Sequence, residues 1–306
     1  MMLFYFKVTR FGGGYERSRP ACCGKIGQKN AASDTSAIFE PVLMRKAYDS
    51  EKVRPKKGLG QHFLTDQPTA KRIASTLTGY GGYQTVIEVG PGTGMLTQYL
   101  REQPYKLLLS EVDTESINHL ISKQGYVDTD FIGDFLQLDL PYHIRDLVAV
   151  IGNYPYNIST QIVFKVLENR NLVPEMTGMF QREVAQRICS SHGSKEYGII
   201  SVLVQAFYHA EYLFTVNEGV FNPPPKVKSG VLRLQRLPRD PDCDEKALFL
   251  VVKTAFNQRR KMLSNALKQL LPEDFEDPMG IRSKRAEQLS VDQFVQLTRL
   301  LYPHGR

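Results

Sequence analysis

Thr85-Val86-Ile87-Glu88-Val89-Gly90-Pro91-Gly92-Thr93-Gly94 is an apolar strand running into a glycine-rich turn. Gly90, Gly92 and Gly94 let main chain approach a ligand closely, and residues 94–101 read as the helix that follows. A dinucleotide-binding turn would carry its third glycine at position 95. Position 95 is Met, so this turn suits a nucleoside ligand that lacks a pyrophosphate.

The flanking sequence repeats the unit. The next strand, 106–111, ends on Glu111, 21 residues past Gly90. That is close to the ~20-residue spacing at which an acid meets ribose hydroxyls. A strand edge at 130–133 leads to Asp134, which could accept from an adenine amino group, with Phe135 beside the ring. Glu88, Glu111 and Asp134 thus fall at intervals of 23 residues. In a doubly wound sheet, strand ends spaced this way border one crevice.

Strands at 85–89, 106–111, 130–133, 147–152 and 176–181 alternate with helices at 94–101, 114–123, 159–168 and 182–189. A further helix at 67–77 precedes them, capped by Asp66 with Pro68 in its first turn. Segments 212–216 and 230–237 alternate in polarity and can pair. Pro238-Arg239-Asp240-Pro241 breaks the composition, and helical patterns follow at 245–256, 260–271, 283–288 and 291–301. The expected organisation is an extension over 1–50, an α/β domain over 51–241 and a small all-helical domain over 242–306. The extension lacks periodicity, and Gly12-Gly13-Gly14 and residues 28–36 read as disordered. Arg10, Arg17 and Arg19 give it a transit-peptide flavour, and a true start at Met44 is the other reading.

The strand 147–152 ends in Asn153-Tyr154-Pro155-Tyr156. Alone, this tetrapeptide fits a stiff turn as well as a site. As a site, the Asn153 amide oxygen and a backbone carbonyl could accept both hydrogens of an exocyclic amine, while Tyr156 stacks on its ring.

The net charge of +7 is spread thinly: residues 1–50 carry +4, residues 51–240 carry +1 and residues 241–306 carry +2. An argument for nucleic acid therefore rests on local clusters: Lys56-Lys57, Lys226 with Lys228, and Arg259-Arg260-Lys261. Cys22, Cys23, Cys189 and Cys243 have neither zinc spacing nor a disulfide framework, so a reducing compartment and no metal are expected. No run approaches the ~18 apolar residues of a membrane span.

With these motifs in place, the chain resembles the class I S-adenosylmethionine-dependent methyltransferases. More narrowly it resembles the small-subunit ribosomal RNA adenine N6,N6-dimethyltransferases of the KsgA type. The resemblance covers about residues 56–302. It is carried by Gly60-Gln-His-Phe-Leu64, Glu88-Val-Gly-Pro-Gly-Thr-Gly94, Glu111-Val-Asp113, Gly133-Asp134 and Asn153-Tyr-Pro-Tyr-Asn-Ile-Ser159. It continues through Phe180-Gln-Arg-Glu183, Phe221-Asn-Pro-Pro-Pro-Lys-Val227 and Phe256-Asn-Gln-Arg-Arg-Lys261.

The resemblance implies a Rossmann-like seven-stranded sheet with a C-terminal helical domain, and S-adenosylmethionine as cofactor. His62 and Leu64 would line the cofactor's methionine end, although many relatives have Asn where His62 stands. Gly90 and Gly92 would approach its backbone, Glu111 would hold the ribose hydroxyls, and Asp134 would take the adenine amine. Asn153 would serve cofactor and target alike. Asn153 and the Pro155 carbonyl would polarise the target amine, with Tyr156 and Phe221 as the two walls around the flipped base. The three basic clusters would meet RNA phosphate.

The implied substrate is a pair of neighbouring adenines in a 3′-terminal hairpin loop of small-subunit rRNA, in a pre-30S particle. The implied enzyme is a cytoplasmic monomer, or mitochondrial if residues 1–43 are a transit peptide. Rival readings are a large-subunit rRNA methyltransferase conferring antibiotic resistance, and an assembly or transcription factor that binds RNA or DNA with dispensable catalysis.

Overall fold

The structure, a computed structural model, describes residues 53–303. All of them belong to one compact unit. The expectations for residues 1–50 lie outside the described residues.

The apolar run at Thr85–Val89 forms β2, buried along nearly its whole length in a six-stranded sheet, beside an edge strand. Around it lie β3 (Lys106–Ser110), β4 (Val148–Asn153), β5 (Glu175–Gln181), β6 (Tyr208–Val216) and β8 (Ser229–Arg236). The order is β3-β2-β4-β5-β8-β6. The first four strands run parallel, and β8 and β6 close the sheet antiparallel. The segments 212–216 and 230–237 therefore do pair.

The chain leaves β2 for β3 on one side and returns to β4 on the other. That reversal opens a crevice beyond the carboxyl ends of β2 and β4. The seventh strand expected at 130–133 is reduced to a single parallel bridge, Leu109 to Phe131. A short turn at Asp128–Asp130 precedes it and Gly133, at φ +77°, follows it, so only one residue stays extended enough to pair.

Alternation in the strands builds two cores. Ile87, Val89, Val148 and Val150 face one side of the sheet; Val86, Ala149 and Ile151 face the other. On the second side α1 (Gln67–Ala74) and α2 (Thr97–Arg101) supply Ile73 and Leu100. On the first side α5 (Ser159–Glu168), α6 (Arg182–Cys189) and α7 (Ile199–Gln205) pack, and the same core continues into α8 (Glu245–Asn257), α9 (Leu263–Ala266) and α10 (Val291–Leu301). Each fully buried aliphatic side chain contributes roughly 1.5–3 kcal/mol. Truncating one such as Ile87 to Ala would cost about 2–5 kcal/mol.

The C-terminal helices are pinned where they begin. Asp244 caps α8 by accepting the Ala247 N–H at 2.7 Å. Arg170 donates to both oxygens of Glu245 and to Asp240 while its guanidinium lies over the Phe207 ring. The helix expected over 260–271 shortens to Leu263–Ala266. Met262 instead bridges antiparallel to Arg285, which draws the start of that segment out of helical geometry. Two further helices, α3 (Thr114–Gln124) and the one-turn α4 (Leu140–His143), complete the connections. Among the described residues no helix is long and apolar enough to cross a membrane.

Candidate active site

The crevice at the β2/β4 reversal is a cleft floored by Gly90, Gly92, Glu111 and the 153–158 turn, and roofed by residues 59–63. Gly90 and Gly92 adopt φ +72° and +56°, a region side chains avoid. A Cβ at Gly92 would also stand 2.9 Å from the Phe63 ring. Glycine here therefore lets the roof close down onto the turn.

Glu111 directly follows β3 and is almost fully buried. One carboxylate oxygen accepts the N–H groups of Val112 (2.8 Å) and Asp113 (2.9 Å), and the other accepts that of Gly92 (3.1 Å). Burial pushes its carboxyl up, and the three backbone donors oppose this. A carboxylate offers about four acceptor positions. Glu111 therefore keeps one acceptor position, on the oxygen shared with Gly92.

Behind it, Glu88 is only 1 % exposed and has an oxygen without a partner. Burial raises its carboxyl to about 8, with the negative charge of Glu111 adding to the shift and the Thr97 hydroxyl opposing it.

Asn153 sits at the last position of β4. Its Nδ2 donates to the main-chain carbonyl of His62 at 2.9 Å. That bond fixes the amide and leaves Oδ1 as a free acceptor in the cleft. The Pro155 carbonyl accepts the Ile158 N–H at 3.1 Å, so one of its lone pairs is taken and one remains. The Tyr156 hydroxyl is held 2.6 Å from Ser229 Oγ, which orients the ring, and burial raises its ionisation above the usual range. Tyr154 points the other way, fully buried, with its hydroxyl donating to the Thr177 carbonyl at 2.7 Å. Gly178, at φ +144°, makes room for that ring, because a Cβ there would lie 2.6 Å from it.

The roof is tied down at three points. Lys56 pairs with Asp113 and, at 3.2 Å, with Glu115. Its main-chain N–H donates to Gln61 Oε1, and Gln61 Nε2 reaches Asp113. Burial alone would raise the Asp113 carboxyl, but Lys56, Ser116, Gln61 and the Glu115 N–H together hold it below the usual range. Farther along, His62 stacks on Tyr156 and contacts the Pro223 carbonyl. At the end of the roof β1 (Phe63–Leu64) pairs with β7 (Phe221–Asn222).

A model of the family described as ribosomal RNA adenine dimethylase matches residues 52–302. The chain belongs to the ribosomal RNA adenine dimethylase family. It is 54% identical over 254 residues to a protein of Cytophaga hutchinsonii named ribosomal RNA small subunit methyltransferase A, covering 82% of this chain and 98% of that one. It is 52% identical over 262 residues to the protein of the same name from Flavobacterium johnsoniae, covering 83% and 98%. A crystal structure of a dimethyladenosine transferase from Plasmodium falciparum shares the fold, with TM-score 0.67, 22% identity and coverage of 79% and 98%. The 23S rRNA methyltransferase ErmE is similar at TM-score 0.61 and 25% identity, covering 78% and 99%. The expected Rossmann-like α/β class is thus the fold of this chain.

The cleft gathers His62, Gly90, Gly92, Glu111, Asn153, Pro155 and Tyr156, seven of the residues expected from the sequence. It does not gather Leu64 or Phe221. Leu64 faces Phe221 across the β1–β7 pair, and both are 4 % exposed in the second core. The Phe221 ring is therefore buried in the second core here. Phe135 is likewise buried in the first core rather than beside the crevice. Asp134 lies outside the cleft lining; one of its oxygens accepts the Leu136 N–H at 2.9 Å.

Among the basic residues, Lys57, Lys226, Lys228, Arg260 and Lys261 are exposed. Lys56 is engaged with Asp113 and Glu115. Arg259 donates to the Ser194 and Lys195 carbonyls and faces Glu287 at 3.7 Å. Both act first as structural ties. Sequence reasoning assigned no role to Gln61, Phe63 or Val112. Gln61 and Phe63 lie inside a quoted motif, and Val112 follows Glu111 as an exposed apolar side chain at the cleft.

Proposed function

We propose that this chain N6,N6-dimethylates two adjacent adenines in a 3′-terminal hairpin loop of small-subunit rRNA. The observation that carries the reading is the Asn153 amide. Its nitrogen is committed to the His62 carbonyl, so its oxygen faces the cleft as an acceptor. An acceptor fixed in that sense suits an exocyclic amine, whose hydrogens it can draw on.

Bound S-adenosylmethionine supplies an electrophilic sulfonium methyl. The donor set fits it: Gly90 and Gly92 allow close main-chain approach, and Glu111 keeps one position for a ribose hydroxyl. Asp134 retains a free oxygen for an amine. For the target, Asn153 Oδ1 and the Pro155 carbonyl each accept one amine hydrogen and raise electron density on the nitrogen. Tyr156 offers a ring face for the extruded base. Alignment and polarisation carry the acceleration, and no protein nucleophile is required.

The exposed Lys57, Lys226, Lys228, Arg260 and Lys261 supply phosphate contacts, and residues 242–306 form the rRNA-recognition part. On this reading the protein acts in the cytoplasm, on a pre-30S particle, as a monomer. Identity of 54% to a relative named for the small subunit, against 25% to the large-subunit ErmE, favours the small-subunit reading. Purified 30S and 50S subunits lacking these methyl groups, incubated separately with the protein and labelled cofactor, test it. Label should enter the small subunit alone, and label in the large subunit would overturn the reading.

A further inference from the structure

Tyr156 does not present an empty face to the cleft. The His62 imidazole lies against it, with ring centroids 5.6 Å apart and planes 28° from parallel. Flat rings in contact stand roughly 3.5 Å apart, so a base held between two walls needs about 7 Å between them. No base fits between His62 and Tyr156 at 5.6 Å. A base that stacks on this face must take the imidazole's place.

His62 is held by two bonds of different kinds. Its Nδ1 lies 2.8 Å from the Pro223 carbonyl oxygen. A carbonyl only accepts, so Nδ1 carries the hydrogen. Its own main-chain carbonyl accepts Asn153 Nδ2. Swinging the ring breaks the first bond and leaves the second intact. The imidazole can therefore leave Tyr156 without releasing the Asn153 amide. Phe221, buried in the core, does not take part in this exchange.

We infer that His62 is a place-holder for the target base: its imidazole occupies the stacking position on Tyr156 in the RNA-free protein, and an incoming adenine displaces it. This rests on the reading that an extruded adenine is the substrate. His62 is then a positioning residue twice over, through its backbone for Asn153 and through its ring for the base. It also filters bases. The incoming ring must stack on Tyr156 better than an imidazole does, which favours the larger face of a purine over a pyrimidine.

The whole protein, labelled in its six histidines, provides the test by NMR, with His62→Asn giving the assignment. In the RNA-free protein the His62 ring protons should be shifted upfield by the Tyr156 ring, and His62→Ala should bind the RNA more tightly than wild type. The RNA is a labelled hairpin with two unpaired adenines, added with S-adenosylhomocysteine, and its binding is followed by anisotropy. On binding, the upfield shift should vanish. His62→Ala should gain roughly tenfold in affinity for this hairpin and clearly less for one with uridines at those positions. An RNA-free protein without the upfield shift, a shift that persists when the hairpin is bound, or weaker binding by His62→Ala would each overturn the inference alone. Failure of the hairpin to bind either protein would instead remove the substrate reading, and the inference with it.

Discussion

Asn153 donates its side-chain amide to the main-chain carbonyl of His62 at 2.9 Å, joining the end of a central strand to the roof of the cleft. The bond fixes the orientation of an amide that lines the cleft. Replacing Asn153 by Ala should lower methyl transfer by about 10²–10³-fold, the usual cost of removing a preorganised polar group from a reacting centre. Asn153 is not part of either core, so far-UV circular dichroism and the unfolding temperature should match wild type. Near-normal turnover in this variant would show that the amide does not polarise the target.

The ionic tie at Lys56 predicts salt-sensitive cofactor binding. Its side chain is 40% exposed, so the pair contributes no more than about 1 kcal/mol. Lys56→Ala should weaken S-adenosylhomocysteine binding up to about fivefold at low salt, with the gap narrowing at high salt. Isothermal titration calorimetry at two ionic strengths measures this. Equal affinities at both would mean that the roof closes without Lys56.

Glu88 predicts a pH dependence of stability. The unfolded chain releases this proton near 4.5 and the folded protein near 8. Between those values the folded state binds more protons than the unfolded one, so stability falls as pH rises. The contribution is fully present below about 4.5 and lost by about 8, at no more than ~1.4 kcal/mol per pH unit. Urea unfolding from pH 5 to pH 8 should show this decline in the wild type and a flatter profile in Glu88→Gln. Parallel profiles would mean that burial does not keep Glu88 protonated.

Tyr154 predicts a stability effect that its neighbours in the motif do not. Its hydroxyl donates to the Thr177 carbonyl inside the sheet. Tyr154→Phe should cost about 1–2 kcal/mol. That corresponds to roughly 2–4 °C in Tm for a chain of this size, read by calorimetry. An unchanged Tm would mean that the carbonyl finds another partner.

The parts of this fold with a clear period could be read from sequence. Helices expected at 159–168, 182–189 and 291–301 have those bounds, because each carries an apolar stripe between polar faces. Helix Ile199–Gln205 could not be read: Ile199-Ile200-Ser201-Val202-Leu203-Val204 is apolar on every side, and only burial between α6, β6 and α8 makes it helical. The site divides the same way. Gly90, Glu111 and Asn153 were legible because strand ends in a doubly wound sheet must converge. Leu64, Phe135 and Phe221 turn into the cores, and lying next to a motif does not say which way a side chain turns. Lys56 and Arg259 read as RNA contacts because their carboxylate and carbonyl partners lie far away in sequence.

The central claim is tested most directly by mass mapping of small-subunit rRNA. Unmethylated 30S particles incubated with the protein and S-adenosylmethionine should gain four methyl groups, two on each of two adjacent adenines in a 3′-terminal hairpin, and Asn153→Ala should add them about 10²–10³-fold more slowly. Methyl groups on any other base, or only one per adenine at completion, would contradict the account.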